Sequence, residues 1–276
     1  MTADQSAAVA RTIEFARWKG HRARVIVLQI TVFAVVLGTW QASVAFGWLD
    51  QDSVPSATAT IAEMVDQIAS AAFWDAVGST AEAWISGLAL SVALAIPLGV
   101  LLGSSRFAYQ SASLVVDFLR TVPSITLLPL AVLLFGVSLK MELLIIVFGA
   151  VWPLLLQTAY GCRSVDRVAS DTFAVFHVRR RMRITLLVLP SAAPYVATGL
   201  RLASTFCLIG AVGTELLGGA PGLGHHLALA QSLGTPAEVF AVTVIIGLFG
   251  LGLAALLAAG ERRVLHWHPS FRRSHS

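Results

Sequence analysis

The run Ala83–Gly103, AWISGLALSVALAIPLGVLLG, holds twenty-one residues without a charged side chain. About twenty apolar residues are what an α-helix needs to cross the hydrocarbon core of a bilayer. The run is continuously apolar and does not alternate, which separates it from a barrel strand. Working outward from it, no Lys or Arg occurs between Arg24 and Arg106, or between Arg201 and Arg262. Across all 276 residues, 57% are hydrophobic and 12% charged, against about 25% charged in a soluble domain. Only helices and closed barrels satisfy their backbone in lipid. The chain therefore reads as an all-α, polytopic membrane protein.

Six spans are expected: Val25–Gly47, Ala83–Gly103, Ser113–Phe135, Leu143–Tyr160, Tyr195–Leu217 and Val239–Ala259. They give a membrane domain over residues 25–260, a leading segment 1–24, a polar segment 161–194 between spans four and five, and a tail 261–276. The first apolar run is longer than the core of a signal peptide and ends in Gly47-Trp48 without a small-residue cleavage site, so it reads as a span.

Charge placement orients the spans. Sixteen of the nineteen Lys and Arg residues fall before span one, at Arg106 after span two, in the polar segment, or in the tail. The segment Trp48–Glu82 carries Asp50, Asp52, Glu63, Asp66, Asp75 and Glu82 with no Lys or Arg. Gly218–Glu238 also lacks basic residues; only Lys140 breaks the pattern. The positive-inside rule then puts both termini and the polar segment on the cytoplasmic side of the membrane. The basic residues flank spans, so the net charge of +4 implies contact with membrane lipid and no nucleic acid.

Within spans, Pro97, Pro123, Pro129 and Pro153 free backbone groups that neighbours must satisfy. Gly99 and Gly103 lie four apart on one face, the spacing of a close helix–helix contact. Cys162 and Cys207 have no metal-type spacing and no sign of a disulfide. Gly218–His226, GGAPGLGHH, lacks the Lys and Ser/Thr of a phosphate loop. Two adjacent histidines, His225 and His226, without a third ligand read as a solvated turn rather than a metal site.

The polar stretch Asp166–Arg201, DRVASDTFAVFHVRRRMRITLLVLPSAAPYVATGLR, is longer than a passive connector needs. Val168, Thr172, Val175 and Phe176 can share one face of a short helix. Phe173, Phe176 and Met182 beside arginines would suit a groove with acidic edges on another protein. The alternative is a basic anchor lying on the headgroups.

Several pieces in order resemble one family: Val54-Pro55-Ser56, Pro97-Leu98-Gly99, Phe118-Leu119-Arg120-Thr121-Val122-Pro123, Leu128-Pro129-Leu130, Tyr160-Gly161, Glu215-Leu216-Leu217-Gly218 and Gly222-Leu223-Gly224. Together they look like the membrane-spanning permease subunit of bacterial ABC importers in the sulfonate, taurine, nitrate and bicarbonate group. The family's cytoplasmic signature is Glu-Ala-Ala, three residues, Gly, nine residues, then Ile-x-Leu-Pro. It is similar to a pattern in which Asp171 stands for the glutamate, Thr172 and Phe173 for the alanines, His177 for the glycine, Leu187 for the isoleucine, and Leu189-Pro190 close it. His177 departs from a position where glycine permits a left-handed turn.

The resemblance implies a type I importer permease fold and a coupling helix contacting an ATPase through Asp171, Thr172, Phe173, Phe176, His177, Arg179, Arg180, Leu189 and Pro190. It implies an ATPase dimer as partner, a second permease subunit, an extracytoplasmic substrate-binding protein and a small anionic solute. ATP and Mg would sit on the ATPase, with no cofactor and no catalytic residue on this chain. Arg120, Pro123 and Glu215 are the expected residues of the translocation path. An ion-gradient-driven secondary transporter is the alternative; it would call for mid-span acids or bases and repeated halves, and neither is evident.

Overall fold

Uncharged runs that must hydrogen-bond internally become helices, and the computed structural model describes residues 3–50 and 52–265, with side chains from Arg24 onward except that of Arg180. Eleven α-helices follow in order among these residues: α1 (Ala3–Ala45), α2 (Ala57–Ala69), α3 (Ala71–Ser104), α4 (Arg106–Leu119), α5 (Leu128–Phe135), α6 (Leu139–Arg163), α7 (Arg167–Val175), α8 (Arg180–Arg183), α9 (Leu189–Gly218), α10 (Leu223–Leu233) and α11 (Pro236–Val264). Five helical stretches are long and apolar enough to cross a membrane, and α4 with Ser124–Phe135 passes the same test as a bent pair, either a broken span or a re-entrant loop.

The chain divides into two compact units, Met1–Glu63 and Met64–Ser276. In the first, the apolar side chains from Val25 to Val36 lie largely exposed on α1, as a helix surrounded by lipid requires. After α1 the chain turns at Gly47, whose φ is +72°, and Trp40 Nε1 donates to the Pro55 carbonyl at 3.1 Å.

The second unit is organised around α6, which packs against α3 on one side and α9 on the other. Ile146, Ala150, Leu154 and Leu155 of α6 are buried with Ala83, Trp84 and Ala95 of α3 and Ala203, Cys207 and Ala211 of α9. Lipid tails are as apolar as leucine, so such association comes from close packing rather than from expulsion of water. The expected Gly99–Gly103 face does this work. A Cβ on Gly99 would lie 2.6 Å from Thr158 Cβ, and one on Gly103 would lie 2.6 Å from Cys162 Cβ and 2.7 Å from the Ala159 carbonyl oxygen.

One expectation from the sequence is corrected. Span three is not one helix: it breaks between Leu119 and Ser124 and turns by 74°. Pro123 has no N–H to continue the ladder and restricts the residue before it; Thr121 and Val122 close the turn onto the Phe118 and Leu119 carbonyls at 3.2 and 3.3 Å. The segment 48–82 holds α2 and the first three turns of α3. Between Gly218 and Glu238 lies α10. Leu189 and Pro190 stand at the start of α9, in a helical stretch running from Arg181 to Gly218. That stretch stays continuous through one π turn, Ile184–Val188, where the Leu189 N–H bonds the Ile184 carbonyl. A π turn absorbs the missing donor and ring bulk of Pro190.

Gly103→Leu is expected to separate α3 from α6, since overpacking a tight contact costs roughly 1–3 kcal/mol or more. Thermal unfolding of the purified protein in detergent should show a clear drop in midpoint, whereas Gly252→Leu, at a position with no neighbour within 4 Å, should change little.

Candidate functional site

Two places carry the polar chemistry of the second unit. The first is the connector between α6 and α9. Asp166 caps α7, its Oδ1 accepting from the Ala169 N–H at 2.9 Å, as a carboxylate at a helix start should. The other end closes by a Schellman arrangement: the Val178 N–H reaches the Phe173 carbonyl at 3.1 Å and the His177 N–H reaches the Ala174 carbonyl at 3.0 Å. That closure needs one residue in the left-handed region. His177 supplies it with φ +51°, alone among described non-glycine residues. The chain thus keeps the turn that the departure from glycine threatened.

Arg183 Nη2 donates to Ser170 Oγ at 2.7 Å and ties α8 back to α7. The doubly capped helix then exposes Val168, Val175 and Phe176, each about three-quarters accessible. Asp171, Thr172, His177 and Arg179 are also exposed, while Phe173 is half-buried. Leu189 and Pro190 are exposed at the base of α9, apart from this helix. The side chain of Arg180 lies outside the described residues. Asp166, Ser170 and Arg183 were missed as site residues; an acid just before an apolar-periodic stretch was the available signal for the first.

The second place is the far end of α9. Glu215 is fully buried, and its Oε2 accepts from Thr80 Oγ1 at 3.0 Å and from the Gly224 N–H at 2.8 Å. Thr80 Oγ1 in turn accepts from the Leu223 N–H at 2.9 Å. A carboxylate from α9 and a hydroxyl from α3 thereby serve two of the orphan donors that begin α10. Gly222 has φ +155°, and a Cβ there would lie 2.1 Å from the Glu215 carboxyl carbon. Two glycines of the Gly218–His226 stretch, Gly222 and Gly224, let this backbone touch Glu215.

Further out, His226 is not in a solvated turn. Its Nε2 lies 2.9 Å from Gln67 Oε1 and 3.3 Å from Glu238 Oε1, joining α10 to α2 and α11. No three His, Cys, Asp or Glu side chains among the described residues are grouped to hold a metal.

At the break in span three, Arg120 Nε pairs with Asp117 Oδ1 at 3.0 Å, both side chains about half exposed, with Pro123 exposed beside them. Asp117 also lines a cleft with Leu102, Tyr109, Ser113, Val116 and Leu156. Of the three expected path residues, Arg120 and Pro123 share this elbow, while Glu215 is enclosed elsewhere. Arg201 pairs with Glu261 and links α9 to α11.

Long apolar helices, an elbow at residues 119–124 and a doubly capped helix between α6 and α9 define a polytopic helical membrane protein. Residues 95–266 match the family described as binding-protein-dependent transport system inner membrane component, and the chain belongs to that family. It is 26% identical over 238 residues to the putative aliphatic sulfonates transport permease protein SsuC of Bacillus subtilis, covering 86% of each chain. It is 30% identical over 193 residues to the nitrate import permease protein NrtB of Leptolyngbya laminosa, covering 70% of this chain and 69% of the other. A chain of the MetNI methionine ABC transporter, solved in inward-facing conformations, shares the fold with a TM-score of 0.61 at 18% identity, over 71% of this chain and 95% of that one.

A left-handed non-glycine residue costs about 1 kcal/mol. His177→Gly is therefore expected to hold or raise protection of the Val178 amide in hydrogen exchange. His177→Val, β-branched in the same conformation, should lower that protection roughly tenfold.

Proposed function

We propose that this permease is driven by a separate ATPase that grips α7, and that it imports a small anionic solute delivered by an extracytoplasmic binding protein. The single observation carrying the reading is the geometry of α7. A nine-residue helix, capped at both ends, turns Val168, Val175 and Phe176 outward on the connector of the two central spans. An isolated helix this short is unstable in water without such caps. Rigid aromatic and aliphatic anchors beside arginines suit a cleft with acidic edges. In this reading ATP and Mg bind the partner, and this chain holds neither.

The arrangement supplies a route for work. The ATPase can shift the permease only if its ATP-bound and ATP-free forms contact α7 differently. Displacement of α7 acts on α6 through the short link 164–166 and on α9 through α8 and the π turn, and both helices form the core. Two such subunits would face each other across the path, with both termini of each in the cytoplasm as the charge asymmetry directs. An exposed ion pair inside a span marks a polar route or a protein contact rather than lipid; we place the path along the Asp117–Arg120 elbow. The solute class follows from relatives named for sulfonate and nitrate transport.

Phe176→Glu tests the coupling. Loss of an aromatic anchor costs about 2 kcal/mol or more, over tenfold in affinity. The variant should insert normally yet lose co-purifying ATPase and uptake in proteoliposomes. Unchanged uptake would defeat the proposal. Arg120→Gln should leave the ATPase bound while lowering uptake severalfold, separating the path from the coupling surface.

A further inference from the structure

We propose that α2 lies along the outer membrane–water boundary, its outward apolar stripe covered by lipid rather than by protein. The observation is a division of the helix into three sides. Met64 packs toward the buried cluster of Phe73, Leu223 and Ile245. Gln67 bonds Glu238 at 3.1 Å and His226 at 2.9 Å. Those two contacts account for the side turned to the helical body. Ile61, Val65 and Ile68 recur at helical spacing on the adjoining side and are 52%, 62% and 46% exposed. Glu63 and Asp66 fall on the remaining side, and Asp66 is exposed.

Such a helix, apolar on one flank and acidic on another, settles in the interface plane with its apolar side some 5–10 Å into the headgroup–acyl boundary. Lipid is chosen over a protein occupant because the stripe continues into a surface that already faces the bilayer. Trp74, 57% exposed, donates its indole N–H to the Ile68 carbonyl at 2.9 Å. That bond satisfies the ring's polar end and sets its apolar body beside the stripe. Ile85, 58% exposed, stands eleven residues on, three turns along the same face of α3. Tryptophan concentrates at the level where headgroups meet acyl chains, which is where the start of a spanning helix should be. The acidic side also selects against strongly anionic headgroups and leaves apolar contact as the binding term.

The anchor has a structural consequence. Through Gln67, α2 holds His226 of α10 and Glu238 of α11, so the outer end of the second unit is fastened to the bilayer surface. The inference rests on the chain being a membrane permease and is independent of the ATPase reading.

Site-directed spin labelling of the full chain in phosphatidylcholine–phosphatidylglycerol vesicles tests it. Single cysteines replace Val65, Ile61 or Asp66; Cys162 and Cys207 are buried, and the unsubstituted chain serves as the blank. Nitroxides at 65 and 61 should collide with oxygen several-fold more, relative to a water-soluble nickel chelate, than the nitroxide at 66. Equal nickel access at all three positions would overturn the proposal by showing a helix held in water. Immobilised labels at 65 and 61, shielded from both colliders, would overturn it in favour of a second copy or another protein on the stripe.

Discussion

Close approach of α6 to its two neighbours is the contact on which everything else hangs. In hydrocarbon there is no water to expel, so helices associate only where backbones come near enough for dense van der Waals contact. Gly99 and Gly103 bring α3 against Thr158 and Cys162, and Gly161 and Gly199 bring α6 and α9 together in the same way. The three helices form one body because these notches recur along them. The connector carrying α7 leaves that body at one end, and the Glu215 network closes it at the other. A charge or bulky side chain in the notches would loosen both at once.

The two polar places are built by the same logic. Wherever a helix begins or ends away from water, its orphan backbone groups find a partner. Asp166 and the left-handed His177 serve α7; Glu215 and Thr80 serve α10. What remains outward at α7 is apolar, Val168, Val175 and Phe176; at the elbow Asp117 and Arg120 hold each other.

Much of this was legible in the sequence. Long uncharged runs declare helices long and apolar enough to cross a bilayer, because that follows from transfer energies summed over many residues. The Gly99–Gly103 face was visible from spacing alone. What escaped were features decided by a single tertiary contact. Pro123 announces trouble in a helix but not whether the chain bends slightly or turns by 74°; that depends on Thr121 and Val122 finding carbonyls. The π turn at Ile184–Val188 leaves no mark beyond Pro190 itself. The Arg201–Glu261 pair joins residues sixty apart in sequence, beyond the reach of any local pattern. His226 looked solvated because Gln67, its neighbour in space, is 159 residues distant. His177 is the instructive case: its identity argued against the left-handed turn, and the hydrogen bonds of Phe173 and Ala174 imposed it.

The continuous stretch from Arg181 to Gly218 carries one more implication. Thirty-eight helical residues at 1.5 Å each form a rod of about 57 Å, which spans the whole bilayer and both headgroup layers. Its lower tip meets the connector and its upper tip holds Glu215. A rod of that length works as a lever: pivoting by about five degrees at one tip sweeps the other through about 5 Å. Small angular strokes on the inner side thus become side-chain-sized displacements outside, with no intermediate gearing required.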